Sequence, residues 1–436
     1  MTVVNPNFMK EIKKYSTKDF SIDACFNCGN CTAVCPLSEE KFQFPRALIR
    51  YAQVGLKNKV LSNDLMWLCA SCNDCTNTCP RDAEPGEFVV ATRRWAMGQY
   101  EITGISRFLY THWWAPLLTA GLIFFLSLFL FLSFSTPDAI PLNRPIRLFD
   151  LVSSTTVEIV GIGMATLVIG IIGLSILNQY RIISKYSEKS LFLGISRAYE
   201  TRKTDKELNS FYHLLFSPFI MIKQALVVIF KEVLLQYRQL ECSISSYQEQ
   251  KKWNVRSLYI NHMLIMWGFL GLGAATMTHF LTGKDSNEFI PITDPIRLLG
   301  IISGILLMIG VTSAIWGRYQ KSTRYSEHSN VLDWLFLFEL FFIGLSGFLM
   351  TISFYISEIP PILAYWFFVF HMIVVIELVL MSPFNKMSHV WYRSFALWLH
   401  YGLIARKNKL SNELKKIKEA EKARKKREKA KAKVTS

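Results

Sequence analysis

The pattern of hydrophobic and polar positions divides this chain into three unlike parts. Up to about residue 105, apolar residues are scattered among polar ones at helical spacing. In "FPRALIRYAQVGLKNK" (Phe44 to Lys59), Ala47, Leu48, Tyr51 and Ala52 share one face. Pro45 stands near the first turn and Gly55 near the end, so the stretch predicts a short helix. "NDLMWLCASC" (Asn63 to Cys72) predicts another, opened by Asn63 or Asp64. No period-two alternation appears, and the segment reads as an α-helical head. Six long apolar stretches follow, at 113–134, 156–178, 257–281, 296–317, 332–355 and 363–385. Each is long enough to cross a bilayer, which takes about 20 residues. The stretch 211–240 is different, because Lys223, Gln224, Lys231, Glu232 and Gln236 share one helical face. It predicts a helix lying on the inner surface. Beyond residue 400 the chain becomes a basic tail.

Charge refines this picture. The 436 residues carry 49 Lys or Arg and 33 Asp or Glu, a net charge of +16. From Arg406 onward there are 14 Lys or Arg against 4 Glu. In a chain with membrane spans such a surplus marks the cytoplasmic side, and no nucleic-acid partner is expected. With the head inside, the inner segments 180–256 and 318–330 hold 13 and 3 basic residues. The outer loops hold only Arg144, Arg147, Lys284 and Arg297. Six spans return the tail to the inside; seven would not. "MTVVNPNFMKEIKKYSTKDF" lacks the apolar core of a signal peptide. The cysteines are therefore expected in a reducing compartment, where disulfides are rare.

Those cysteines carry the clearest chemistry. "CFNCGNCTAVCP" (Cys25 to Pro36) and "CASCNDCTNTCP" (Cys69 to Pro80) repeat one run, each cysteine 44 places after its counterpart. The spacing C-x2-C-x2-C-x3-C-P is the ligand run of two-cluster ferredoxins. A tight loop delivers three thiolates to one face of a cluster, and the fourth cysteine crosses to the other cluster. Cys25, Cys28, Cys31 and Cys79 are then expected to hold one [4Fe–4S] cluster. Cys69, Cys72, Cys75 and Cys35 are expected to hold the second. Zinc, which prefers paired C-x2-C knuckles, and unligated core cysteines are the competing readings. Cys242 stands alone and reads as an ordinary thiol. Nothing else in the head looks catalytic: no Gly-rich dinucleotide loop follows a strand, and "GIGMAT" (Gly161 to Thr166) lies inside a span, where small residues serve helix packing.

Histidines supply the membrane counterpart. His262 and His279 flank the third apolar stretch; His371 and His389 flank the sixth. Imidazoles facing one another across two helices are the usual axial ligands of b-type haem. Opposite span directions pair His262 with His389 near the inner surface and His279 with His371 near the outer one. "GFLGLGAA" (Gly268 to Ala275) offers a smooth face for a flat macrocycle. His112, His213, His328 and His400 lack partners at matching depth. Glu339 and Glu377 lie within spans, where acids serve as proton carriers, quinone contacts or packing groups.

The head resembles the small iron–sulfur subunit of heterodisulfide reductases. From about residue 255 onward the chain resembles the cytochrome b subunit of respiratory nitrate reductase, most clearly in "FHMIVVIELVLMSPFNKMSHVW" (Phe370 to Trp391). The fusion resembles the membrane subunits of quinone-interacting membrane-bound oxidoreductase complexes. That resemblance implies an all-α protein with a two-cluster ferredoxin head at 1–105. It implies a six-helix b-type cytochrome domain at 106–400 and a cytoplasmic tail at 401–436. It also implies two [4Fe–4S] clusters, two b haems, menaquinone as substrate and cytoplasmic flavin-containing partner subunits serving adenylylsulfate reductase in dissimilatory sulfur metabolism. A heterodisulfide-reductase or sulfite-reduction subunit is the nearest alternative. A non-redox membrane anchor with a regulatory cluster head is the alternative from another class.

Overall fold

The computed structural model describes residues 4–17, 20–38, 43–135, 146–186, 218–240, 255–282, 290–321 and 329–402, with single positions between 404 and 422. The described residues are 77% helical, with no strand among them. Cys242, His213 and His328 lie outside them.

Among the described residues the head has eight α-helices, α1 (Phe8–Lys13), α2 (Asn30–Ala33), α3 (Arg46–Gln53), α4 (Lys57–Leu61), α5 (Leu65–Leu68), α6 (Asp74–Asn77), α7 (Pro85–Tyr100) and α8 (Ile105–Thr111), with a 3-10 turn at Ile22–Ala24. The expected helices are present as α3 and α5. Gly55 closes the first at φ +74°, and the Asn63 side chain opens the second by accepting from the Leu65 N–H at 2.9 Å. The fully buried Phe8, Ile12, Leu48, Trp67, Phe88 and Trp95 form the core around α7. Trp95 meets Phe8 edge-on at 4.9 Å between ring centres, and its indole N–H donates to Glu11 at 2.9 Å.

Among the described residues, six helices are long and apolar enough to cross a membrane. They are α9 (Ala115–Phe134), α10 (Ser154–Tyr186), α12 (Val255–Thr282), α13 (Pro295–Tyr319), α14 (Val331–Tyr355) and α15 (Pro361–Met381). Between α10 and α12 lies α11 (Pro218–Val227), continued by a π-helix (Val228–Leu234). It is not one of the six. Asp294 caps α13, and a reciprocal Asn330–Asp333 capping box starts α14. Helices α12, α13, α14 and α15 pack in that order, and α9 leans on α14 and α15.

Three expectations need correction. The sixth span ends at Met381 rather than 385, because Pro383 cannot continue the helix. His389 therefore does not close that span. It follows a 3-10 turn (Lys386–Ser388) and begins a separate helix, α16, over 389–402. The glycines of the third span are occupied by protein. A Cβ on Gly268 would lie 2.5 Å from the Leu307 backbone nitrogen, and one on Gly271 2.1 Å from the Ser303 hydroxyl. That face lets α12 approach α13; only Gly273 faces open space. Conversely, a Cβ on Gly161 or Gly163 would meet nothing within 4 Å among the described residues, so neither lies in a close contact with a described helix.

One apolar core joins head and membrane helices. Leu332, Met381, Phe384, Tyr392, Ala396 and Leu397 belong to the same buried cluster as Trp67, Trp95 and Tyr100. The rings of Trp67, Tyr100 and Tyr392 lie 5.6 to 6.5 Å apart.

Candidate functional site

The doubled cysteine run folds into two matching loops. Asn27 and Ser71, 44 residues apart, both take positive φ (67° and 59°). Gly29 and Asn73, again 44 apart, do the same at 96° and 66°. Each pair bends the chain immediately before a one-turn helix, α2 or α6, and so turns successive sulfurs toward one side. Gln53 ties the first loop down by donating to the Ile22 and Cys25 carbonyls at 3.1 and 3.0 Å. Arg93 ties the second by donating to the Cys69 carbonyl at 3.1 Å and to the Ser71 hydroxyl.

Cys25, Cys28, Cys31 and Cys79 line a single cavity, together with Asn27, Arg46 and Pro80. Cys75 is buried, with Cys69, Cys72, Cys35 and Cys31 around it. The structure thus brings together both foursomes expected from the spacing, including the crossed members Cys79 and Cys35. No three His, Cys, Asp or Glu side chains among the described residues converge on a single-ion site. Burial pushes the Cys35 thiol up to about 12 and raises Cys31 and Cys75 as well. Thiolates here would need a cationic iron centre to offset their burial. Backbone N–H groups already point at two sulfurs: Ser71 at Cys69 and Ala83 at Cys79, both at 3.4 Å. Such bonds tune cluster potentials.

The two foursomes differ in surroundings. Cys28 and the neighbouring Phe26 are exposed. The second foursome faces the membrane domain. Arg393 of α16 donates through Nε to the Trp67 carbonyl at 3.1 Å, two residues before Cys69. Arg393 stands one helical turn after His389, which places the histidine close behind this contact.

His262 and His389 face each other, with ring centres 6.4 Å apart and planes at 75°. A metal bonded to an imidazole nitrogen on each side at about 2 Å would set the ring centres about 6 Å apart. The His389 Nδ1 lies 2.5 Å from the Lys386 carbonyl, to which its N–H donates, leaving Nε2 as the free base. A second hydrogen bond of this kind is the usual partner of a metal-binding imidazole. Burial lowers the His389 pKa to about 4, and the nearby Arg393 and Lys386 charges add to that. The ring is neutral at physiological pH. These residues fit an axially ligated haem.

At the other end the fit is partial. His371 Nδ1 lies 2.9 Å from the Ser346 hydroxyl, which itself donates to the Phe342 carbonyl at 2.5 Å. The imidazole N–H is thereby directed to Ser346, and Nε2 is free. Gly347 makes room for the ring, since a Cβ there would lie 3.3 Å from Cε1. His279 is half-buried, and no ring contact joins it to His371 among the described residues. Its 17-residue step from His262 falls about 100° short of returning to the same helical face. His400 Nδ1 lies 2.6 Å from the Asp64 carboxylate, a hydrogen bond that links α16 to the head. His112 is exposed and bonded locally to Phe108 and Thr111.

Sequence reasoning missed Arg393, Arg93 and Ser346. Only Arg393 left a signal, four residues after His389 on the same face.

With this geometry the class is defined: an iron–sulfur head joined to an all-helical membrane-type domain. Residues 21–83 match the 4Fe–4S dicluster domain family. Over 71 residues the chain is 32% identical to an iron–sulfur subunit of the CoB–CoM heterodisulfide reductase of Methanopyrus kandleri, covering 15% of this chain and 37% of that protein. Over 65 residues it is 34% identical to a subunit of the H2:CoB–CoM heterodisulfide,ferredoxin reductase of Methanothermobacter thermautotrophicus, covering 15% and 34%. The chain thus spans little more than a third of the curated relatives it matches. No solved structure matches it.

Proposed function

We propose that this chain is a membrane electron-transfer protein, working between the quinone pool and cytoplasmic partner subunits. The observation that carries the reading is the His262–His389 pair, set at haem-ligating separation directly behind the second cysteine foursome. Iron–sulfur clusters and b haems each carry one electron, and a row of them makes a wire. Cys25, Cys28, Cys31 and Cys79 would hold one [4Fe–4S] cluster; Cys69, Cys72, Cys75 and Cys35 would hold the other. His262 and His389 would ligate a head-side haem b, and His279 with His371 one on the far side. The head-side haem and the second cluster are then neighbours, and the first cluster, at the exposed Cys28, is the contact for a partner. Both head and tail lie in the cytoplasm in this reading, as the basic inner segments support.

The fusion supports a place like that of the membrane subunit in a quinone-interacting membrane-bound oxidoreductase complex. Its partners would be flavin-containing iron–sulfur subunits, menaquinone its substrate, and sulfur metabolism its setting. A visible spectrum of the purified chain, oxidised and then reduced with dithionite, tests the core of this. Sharp α bands on reduction and two haems per chain are expected. Absence of haem would leave a cluster-bearing membrane anchor instead. The likeness of the head to heterodisulfide reductase iron–sulfur subunits favours a second reading, membership of a heterodisulfide-reductase-type complex. Identification of co-purifying proteins separates the two.

A further inference from the structure

Two acids inside the membrane domain have no role in that wire. Glu339 of α14 is 3% exposed and Glu377 of α15 is 7% exposed. They sit at one level: Ser346 of α14 meets His371 of α15 at 2.9 Å, and Glu339 and Glu377 lie seven and six residues from that contact, both toward the head-facing ends of their helices. Both carboxyl oxygens of Glu339 are sealed from the surface and accept no hydrogen bond.

Among the described residues, the surrounding helices offer no counter-charge. On α14, Asp333 is six residues away and is held by Arg94 and Lys386 at 2.9 Å each. On α15, His371 is six residues before Glu377 and is bonded to Ser346. Helix α13 carries Arg297 and Arg318 near its two ends, and α9 carries no charged residue. Helix α10 carries Glu158 near one end and Arg181 and Lys185 near the other. His262 and His279 of α12 lie across the shared core. Two ionised carboxylates cannot be buried side by side without a cation, because each loses hydration and repels the other. At least one must be protonated, and a protonated carboxyl can donate to its ionised neighbour.

We propose that Glu339 and Glu377 form a proton-binding site within the membrane domain, holding one shared proton between two carboxyls. Glu339 is the sealed store, and Glu377, the less enclosed of the two, passes the proton in and out. The site takes a proton and no metal, since a cation would bring its own charge to bear on oxygens that have no other ligands around them. It lies one to two turns in from the head-facing ends of both helices, close to the depth of His262. That places it to exchange protons with the head side. The inference does not depend on haem or quinone binding.

Infrared spectroscopy of the full holoprotein in lipid, titrated from acid to neutral pH in H2O and D2O, tests it. A carbonyl-stretch band of a protonated carboxylic acid should persist at neutral pH and shift in D2O. Glu339→Gln and Glu377→Gln should each abolish that shared band. The carboxyl left behind should absorb at a new position. Unchanged cluster EPR and an unchanged visible spectrum would certify that both variants fold. Two bands that vanish independently, each with its own variant, would overturn the shared proton. Loss of the acid band on adding a sodium or calcium salt would overturn it in favour of a cation site. No acid band at neutral pH would overturn it outright.

Discussion

Arg94 in the head and Asp333 at the start of α14 form an ion pair of 2.9 Å, with both side chains less than a tenth exposed. Lys386 takes the other Asp333 oxygen, also at 2.9 Å, so one carboxylate ties α7, α14 and the turn before His389 together. Removing it takes from Arg94 the nearer of its two carboxylates, the other being Glu87 at 3.6 Å, and takes the Asp333 contact from Lys386. Breaking a buried pair costs about 3–5 kcal/mol. Asp333→Asn should lower the thermal midpoint and loosen α7 in hydrogen exchange. An unchanged midpoint would show that the apolar core alone holds the head in place.

Cluster wiring is tested by Cys35→Ser. The variant should lose the low-temperature EPR signal of the cluster held by Cys69, Cys72 and Cys75, and with it any coupling between clusters. Loss of the other signal alone would mean the two runs are wired without crossing.

Haem ligation predicts unequal losses. His371→Ala should remove one haem and leave the other able to exchange electrons with the clusters. His389→Ala should remove the haem beside the head and abolish quinol-driven cluster reduction. If His279→Ala keeps two full haems by pyridine haemochrome assay, His371 has a different partner.

Glycine substitutions in the third span should separate helix packing from cofactor contact. Gly268→Val drives a side chain into the α13 backbone, where the space is 2.5 Å. It should cost about 1–3 kcal/mol or more, as overpacking does. Gly273→Ala meets nothing within 4 Å and should leave stability unchanged. The measurement is thermal unfolding in detergent, read beside haem content.

Topology follows from charge. A phosphatase fused after Ser436, active only outside the cytoplasm, should be silent. Strong activity would place a seventh crossing between α10 and α12.

Much of the fold was legible because its signals are local. Cysteine spacing, apolar length and the Pro45 and Gly55 signals each lie within a few residues. The end of the sixth span was equally local: Pro383 marks it, but hydrophobicity carried past it to Phe384. What could not be read is what joins distant parts. Arg94 and Asp333 are 239 residues apart, and Trp67 and Arg393 are 326 apart. No periodicity connects them. The glycines of α12 show the other limit, because a small-residue face announces close approach without saying whether protein or cofactor approaches.

Several electron-carrying proteins mount their redox head on a tether and swing it between donor and acceptor. Here the head is fastened by Arg94 to α14, by Trp67 to Arg393, by Asp64 to His400, and by aromatic rings packed across the seam. A head held at so many separate points has no arc to travel. Its throughput is then set by fixed distances between carriers, and turnover should be indifferent to the viscosity of the medium around it.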